Sequence, residues 1–387
     1  MHTYLFLLGS TADLCWAELE TVLHRFKFPA PELVTTDLAK LTTSESLSNE
    51  QLVDLQTTLG GTIKIIRILE ETNHTDLSEV SEIVLKLLAD DKPKRFVVSE
   101  YGRDHLPMLD AIEFKEALRS RGIKSSYVEA SRHGANAAQL KRGAEEVYVI
   151  QLSDSILYGW TETVQDVDAW AKRDVKKPVR DRERGMLQPK VARMMVNLAL
   201  GDGNPADSVV LDPFCGTGTI LLEAAELGSL NVYGSDFSEE QIIASNKNLT
   251  WWQDQSKHDF AFELVRREVS HLTPRDFPLP VTHIVTEPFL GRLRPAPEQL
   301  PNIMRGLEKL YRGMIKSFTT LLKPGSRIAI ILPSWEIKSR NYQLEQTFAD
   351  LEKAGFKIMH EPLRAGRVGA ITQRFVYVLE YNPYVES

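Results

Sequence analysis

The chain has 387 residues, 43% hydrophobic and 26% charged, with 46 Lys and Arg against 53 Asp and Glu for a formal net charge of −7. At roughly 100–200 residues per domain this allows two or three domains, each able to bury its own core, and the composition excludes small disulfide scaffolds, collagen-like repeats and disorder. The two cysteines, Cys15 and Cys215, are too few for a disulfide framework or a four-ligand zinc site; they fit a reducing cytoplasm, and no metal is expected.

The apolar stretch Tyr4-Leu5-Phe6-Leu7-Leu8 lacks a basic flank and runs into Asp13, Glu18 and Glu20, so it reads as a first strand rather than a signal peptide. No uncharged apolar run approaches the roughly 18 residues of a membrane span, and the protein is expected to be cytoplasmic. Residues 11–26 carry apolar side chains at helical spacing, a second strand follows, and 49–59 reads as a short helix. From Gly60-Gly61 a new α/β unit begins: a strand, a helix over 77–88, a strand over 95–99, a helix over 108–121 and a strand over 126–129. Strands over 146–152 and 155–161 close it. Residues 165–188 are polar and basic with Pro178, and read as a linker or ordered basic loop. Nine basic residues lie between Lys172 and Arg193 against three acids, a basic stripe in an acidic chain. Beyond Pro189 the pattern becomes strongly βαβ: a helix over 190–200 and strands over 208–211, 231–234, 282–285, 327–332, 356–360 and 375–381. Helices over 219–227, 239–249, 305–322 and 342–353 come between them. This is the pattern of a doubly wound sheet.

The most informative segment is Asp212-Pro213-Phe214-Cys215-Gly216-Thr217-Gly218-Thr219, where a strand ends in a Gly-x-Gly turn that opens a helix. Asp236 follows 18 residues after Gly218, about the offset at which an acid accepts the ribose hydroxyls of a nucleoside cofactor. Ile220 and Leu221 stand where a dinucleotide fingerprint has its third glycine, which favours a cofactor without phosphates.

This segment resembles the first motif of amino-group methyltransferases that use S-adenosylmethionine. Nearly the whole chain is similar to the THUMP-domain tRNA guanosine N2-methyltransferases of the guanosine-10 type. The likeness runs through Tyr4–Gly9 with Ala17-Glu18-Leu19-Glu20, Gly60-Gly61-Thr62-Ile63-Lys64-Ile65 and Ser99-Glu100-Tyr101-Gly102. It continues through Arg173-Asp174, Lys177-Pro178-Val179-Arg180-Asp181 and the block from Gly185-Met186-Leu187-Gln188-Pro189 to Asn197. The resemblance implies an N-terminal ferredoxin-like α/β module (1–59), a THUMP-like RNA-binding domain (60–163), a basic linker (164–188) and a Rossmann-like, seven-stranded class I methyltransferase domain (189–387). It also implies tRNA as partner, with a small partner subunit left open. Phosphate neutralisation supplies much of sequence-independent RNA affinity, so Lys172, Arg173, Lys176, Lys177, Arg180, Arg182 and Arg184 are the expected RNA contacts. Arg132, His133, Lys141 and Arg142 offer a second contact, and Arg364, Arg367 and Arg374 either touch RNA or solvate a hairpin.

By the same resemblance Asp212, Pro213, Phe214, Gly216, Gly218, Thr219 and Asp236 hold the cofactor. Phe237 packs on its adenine, Glu268 accepts the adenine amine and Val269 supplies a backbone amide. Such enzymes hold the acceptor amine with an Asp/Asn-Pro-Pro-Tyr/Phe motif. Here the corresponding segment is Thr286-Glu287-Pro288-Phe289, with Pro288 and Phe289 matched to the second proline and the aromatic. Thr286 then stands at the acid or amide and Glu287 at the first proline, so these four are the expected catalytic residues of an altered site. Cys215 is read as a small residue in a tight turn, since transfer to an amine needs no covalent enzyme intermediate. The alternatives are a cofactor- or tRNA-binding protein with lost or altered catalysis, and a DNA amino-methyltransferase, which would have no reason to carry the THUMP-like block.

Overall fold

The computed structural model describes residues 1–387 except 74–75, 103–108, 131–133, 182–186, 257–258, 293, 338–339, 367–368 and 384–387. The chain divides into two compact units. One comprises Met1–Ser10, Lys27–Thr57 and Thr62–Val167; the other comprises Thr11–Phe26, Thr58–Gly61 and Asp168–Ser387.

In the first unit, β1 (His2–Leu8), β2 (Glu32–Thr35), β3 (Leu38–Thr43), β4 (Thr62–Thr72), β5 (Arg95–Tyr101), β6 (Ser126–Tyr127), β7 (Ala144–Gln151) and β8 (Ile156–Val164) form one sheet, ordered β2-β3-β1-β4-β8-β7-β5-β6. Strands from the stretches 1–59 and 60–163 therefore share a sheet, joined by the antiparallel pair β1–β4. The parallel neighbours β5 and β6 require a crossover, which the helix Ala111–Ser120 supplies. This helix and Leu77–Asp91 start at Asp110 and Asp76, whose carboxylates accept from Ile112 N at 2.7 Å and Ser78 N at 2.8 Å. Their apolar faces bury Val80, Val84, Leu88, Phe114 and Leu118 against Phe96, Val147 and Val149.

Inside this unit lies a fully buried ion pair. Lys64 Nζ sits 2.8 and 2.6 Å from the two oxygens of Glu146, which also accepts from Ser99 Oγ, Ala135 N and Thr161 Oγ1, each at 2.6 Å. Gly134, at φ +78°, has no room for a side chain: a Cβ there would stand 2.1 Å from the Glu146 carboxylate.

The second unit contains β9 (Val209–Asp212), β10 (Asn231–Asp236), β11 (Ala261–Arg266), β12 (His283–Thr286), β13 (Arg327–Ile337), β14 (Arg340–Tyr342), β15 (Phe356–Ile358), β16 (Leu363–Arg364) and β17 (Thr372–Tyr381). The main order is β11-β10-β9-β12-β13-β17-β15, with β14 on β13 and β16 on β17. Strands β10, β9, β12 and β13 run parallel, while β17 is antiparallel to β13 and β15. The buried residues Val209, Val210 and Leu211 read as the continuous apolar run of a strand covered on both faces. On one face the helix Leu300–Leu321 packs Tyr311, Met314 and Phe318 against Ile284, Ile328 and Ile330. The sequence reading passed over β11, an edge strand with no fully buried residue. It also passed over the helix Val167–Asp174, inside the expected linker.

The helix Ala12–Arg25 lies in sequence between β1 and β2, yet it belongs to the second unit. Its Glu18 is wholly buried and accepts from Gly60 N, Gly61 N and Asn197 Nδ2 at 2.9, 2.8 and 2.7 Å. Burial pushes this carboxyl up to about 7. Arg25 closes the C-terminal end of the helix Pro189–Leu200 by donating to Asn197 O and Gly201 O, both at 2.7 Å, satisfying carbonyls that a helix end leaves open.

Candidate functional site

Open α/β sheets bind ligands at the carboxyl ends of their parallel strands. There the second unit holds a cavity of about 660 Å³, lined at one part by Asp212 to Thr217, Asp236, Phe237, Glu268 and Val269 and at another by Glu287 to Gly291, Leu310 and Arg374. This volume suits a small-molecule site.

The Gly-x-Gly turn divides its labour. Gly216 has φ +50° and an added Cβ would meet nothing nearer than 3.9 Å, so the missing side chain leaves open cavity. Gly218, at φ +81°, does not line the cavity; a Cβ there would strike Ser245 Oγ at 2.6 Å. Its expected cofactor contact is thus replaced by a packing role against the helix Glu239–Gln253. Pro213, Phe214 and Thr219 line the cavity. The Asp236 carboxylate ends β10 and accepts from Gly216 N at 3.2 Å and Ser238 N at 2.9 Å, so it is fixed beside the turn. Phe237 is 71% exposed, a large aromatic turned to the cavity rather than the core. Cys215 is buried, and burial raises its thiol well above the ordinary value, which leaves it unreactive.

The segment after β12 resolves the altered motif residue by residue. Thr286 is fully buried and donates its hydroxyl to Asp212 Oδ1 at 2.7 Å; it does not line the cavity. This ties the end of β12 to the end of β9 and removes Thr286 from the expected acceptor position. Glu287, one residue on, does line the cavity, paired with Arg374. Burial pushes its carboxyl upward, opposed by the Arg374 charge. Asp212, buried beneath, is raised to about 7 by burial against the hydrogen bonds from Thr286 and Phe214 N. Pro288 also lines the cavity; Phe289, likewise at its wall, is 63% exposed, and its carbonyl accepts from the buried Tyr311 hydroxyl at 2.8 Å, which pins the loop.

The basic stripe separates into two kinds of residue. Arg173 and Lys177 are 4% and 3% exposed, which contradicts their expected role as RNA contacts. Arg173 Nε donates to the buried Glu223 at 2.6 Å, Arg193 binds the other Glu223 oxygen at 2.7 Å, and both guanidiniums lie over Trp170. Lys177 Nζ donates to Thr219 Oγ1 at 2.8 Å and Thr217 Oγ1 at 3.3 Å, directly beneath the Gly-x-Gly turn, and burial lowers it to about 8. Lys176 is exposed, and Lys172 and Arg180 are partly so. Arg182 and Arg184 lie outside the described residues, as do Arg132, His133 and Arg367. Lys141 pairs with Asp166 at 2.6 Å. Sequence reasoning missed Asp181, Leu187 and Leu310 as cavity residues, and it read Arg374 as an RNA contact or solvated charge. Asp181 and Leu187 lie in the blocks that carry the resemblance, whereas no local signal marks Leu310 or Arg374, which the topology alone brings to this edge. No helix among the described residues is long and apolar enough to cross a membrane.

The strand order, with antiparallel β17 inserted between β13 and β15, is that of the class I methyltransferase fold. Residues 178–349 match the model described as UPF0020, RMKL-like, methyltransferase domain. It is 35% identical over 151 residues to a tRNA (guanine(10)-N2)-dimethyltransferase of Methanothermobacter thermautotrophicus, covering 39% of this chain and 40% of that protein. It is also 35% identical over 155 residues to a tRNA (guanine(6)-N2)-methyltransferase of Thermus thermophilus, covering 38% and 40%. The chain thus matches about two-fifths of the length of these curated relatives. The crystal structure of TrmN from Thermus thermophilus shares the fold, with TM-score 0.55, 22% identity and coverage of 98% of this chain and 100% of that one.

Proposed function

We propose that this protein is an S-adenosylmethionine-dependent methyltransferase that methylates the exocyclic amine of a guanosine in tRNA. One observation carries the reading: a single cavity joins the Gly216 turn and Asp236 to the Glu287-Pro288-Phe289 loop, so cofactor and acceptor amine have adjoining places. The two curated relatives are named as N2-methyltransferases of tRNA guanines, at positions 10 and 6, which supports this reading.

The residues fit the cofactor. Asp236 is held by two backbone amides with its carboxylate at the cavity, suited to accept ribose hydroxyls; Gly216 leaves the space a nucleoside needs, and Phe237 with Val269 offers an apolar place for adenine, beside Glu268 for its amine. When bound, the cofactor supplies an electrophilic methyl group on a sulfonium. The chain does the rest by positioning. Glu287 takes the acceptor role that its cavity-lining place allows, receiving the amine hydrogens together with the Pro288 carbonyl. The amine proton leaves to Glu287 or to solvent, and Phe289 stacks on the base. Thr286 and Asp212 act one layer below, holding β9 and β12 in register. In this reading the unit built on β1–β8 is the THUMP-like tRNA grip, continuing the N-terminal module, and residues 164–188 bring exposed cations such as Lys176 to the RNA.

The test is transfer of labelled methyl from S-adenosylmethionine to unmodified bulk tRNA, followed by nucleoside analysis. N2-methylguanosine is the expected product. Cofactor binding without transfer to any tRNA would leave a binding protein in place of an enzyme, and label in DNA alone would point to a DNA amino-methyltransferase.

A further inference from the structure

Glu287 is a largely enclosed carboxylate whose one charged partner among the described residues is Arg374, and both line the cavity. Arg374 reaches this place as the third residue of β17, which runs antiparallel beside β13 and so brings its N-terminal end to the carboxyl edge of the sheet, opposite Pro333. Its backbone is held on the other side by Ala365 N at 2.8 Å. Its side chain is 24% exposed and that of Glu287 15%, so the pair is enclosed but open to the cavity. The guanidinium has five N–H donors in a fixed fork. Its Nε is buried and has no protein acceptor among the described residues. A carboxylate and a guanidinium side by side therefore present an acceptor next to a donor.

Guanine carries the complementary edge. Its 2-amine and N1–H are adjacent donors, and O6 beside them is an acceptor, whereas adenine offers an acceptor at N1 and a donor at the 6-amine. Resting on the function proposed above, we infer that Glu287 and Arg374 together read the Watson–Crick edge of the target guanine, Glu287 taking the 2-amine and N1–H and Arg374 donating to O6. Arg374 is thereby a specificity-determining residue of the acceptor site. A lysine at 374 would keep the charge beside Glu287 and lose the fork.

The experiment uses the full chain and two ligated tRNAs that differ only at the methylated position, guanosine or 2,6-diaminopurine riboside. The second base keeps the 2-amine, replaces O6 by an amine and N1–H by an acceptor. The natural protein should prefer the guanosine tRNA in kcat/KM by about a hundredfold. Arg374→Gln and Arg374→Lys should both shrink that preference about tenfold, by lowering kcat/KM on guanosine while leaving the diaminopurine tRNA little changed. The same loss of preference should appear in equilibrium binding of the two tRNAs with S-adenosylhomocysteine present. Unchanged melting temperature and S-adenosylhomocysteine affinity establish that the variants fold. An equal loss on both bases would make Arg374 a mere support for Glu287 and overturn the inference, as would a natural protein indifferent to the two bases. Failure of the natural protein to methylate any tRNA would instead overturn the proposed function, and this inference with it.

Discussion

Two glutamates, one in each unit, Glu146 fully buried and Glu287 open to a cavity, show how the same charge serves different ends. Glu146 is saturated: Lys64, Ser99, Ala135 and Thr161 all donate to it, and no cavity adjoins it among those described. Among the described residues Glu287 pairs with Arg374 alone, and it has a cavity of about 660 Å³ in front of it. Every lone pair that folding satisfies is unavailable to a ligand, so a saturated buried charge fixes structure and an unsaturated one beside a cavity waits for substrate. Glu223, gripped by Arg173 and Arg193, falls with Glu146.

The largest expected effect tests the saturated member. Glu146→Ala leaves Lys64 buried without its counterion and should destabilise the first unit by about 3–5 kcal/mol, read by denaturant unfolding. A loss no greater than that of an exposed substitution would break the comparison.

A smaller effect concerns pH. The carboxyl of Asp212 rises from an ordinary 3.8 to about 7 in the folded chain, so the folded state holds a proton that the unfolded state has lost. Its stabilising contribution is full below 3.8 and declines as the pH rises to about 7. Asp212→Asn has no such titration. The melting temperature of the natural chain should therefore fall relative to that variant between pH 4 and 7 and level off above, a gap on the order of several degrees. A gap independent of pH would contradict the buried, protonated carboxyl.

The smallest effect separates the two kinds of stripe cation. Lys176→Ala, at an exposed position, should weaken tRNA binding less than about tenfold and reduce the salt slope by about 1, with stability unchanged. Arg173→Ala should do the reverse, lowering stability because Glu223 loses one of its two arginines. Equal salt slopes for the two variants would erase the distinction.

The sequence carried the alternation of the second unit well, because its parallel strands are short apolar runs and its helices are either amphipathic, as Leu300–Leu321 is, or apolar nearly all round, as Thr219–Glu226 is. It did not carry β11, whose edge position leaves no buried face to set a pattern. The Gly-x-Gly turn and Asp236 were legible because their spacing is a backbone requirement. The register of Thr286-Glu287 was not, since adjacent residues on a strand end point to opposite sides and only the pairing of Thr286 with Asp212 decides which one meets the cavity. Charge counting placed Arg173, Lys177 and Lys176 in one stripe; burial, a tertiary property, divides them. Arg374 lies 87 residues from Glu287 in the chain (374 − 287), a separation that no local pattern spans.

The most direct measurement is the single-turnover methyl-transfer rate of Glu287→Ala and Thr286→Val side by side, at saturating S-adenosylmethionine and tRNA. If Glu287 holds the acceptor amine, Glu287→Ala should lose about 10²–10³ in rate, while Thr286→Val, removing a hydrogen bond beneath the site, should lose under tenfold and show its effect chiefly in melting temperature. A Thr286→Val variant as folded as the natural chain yet as slow as Glu287→Ala, or a fully active Glu287→Ala, would contradict the account.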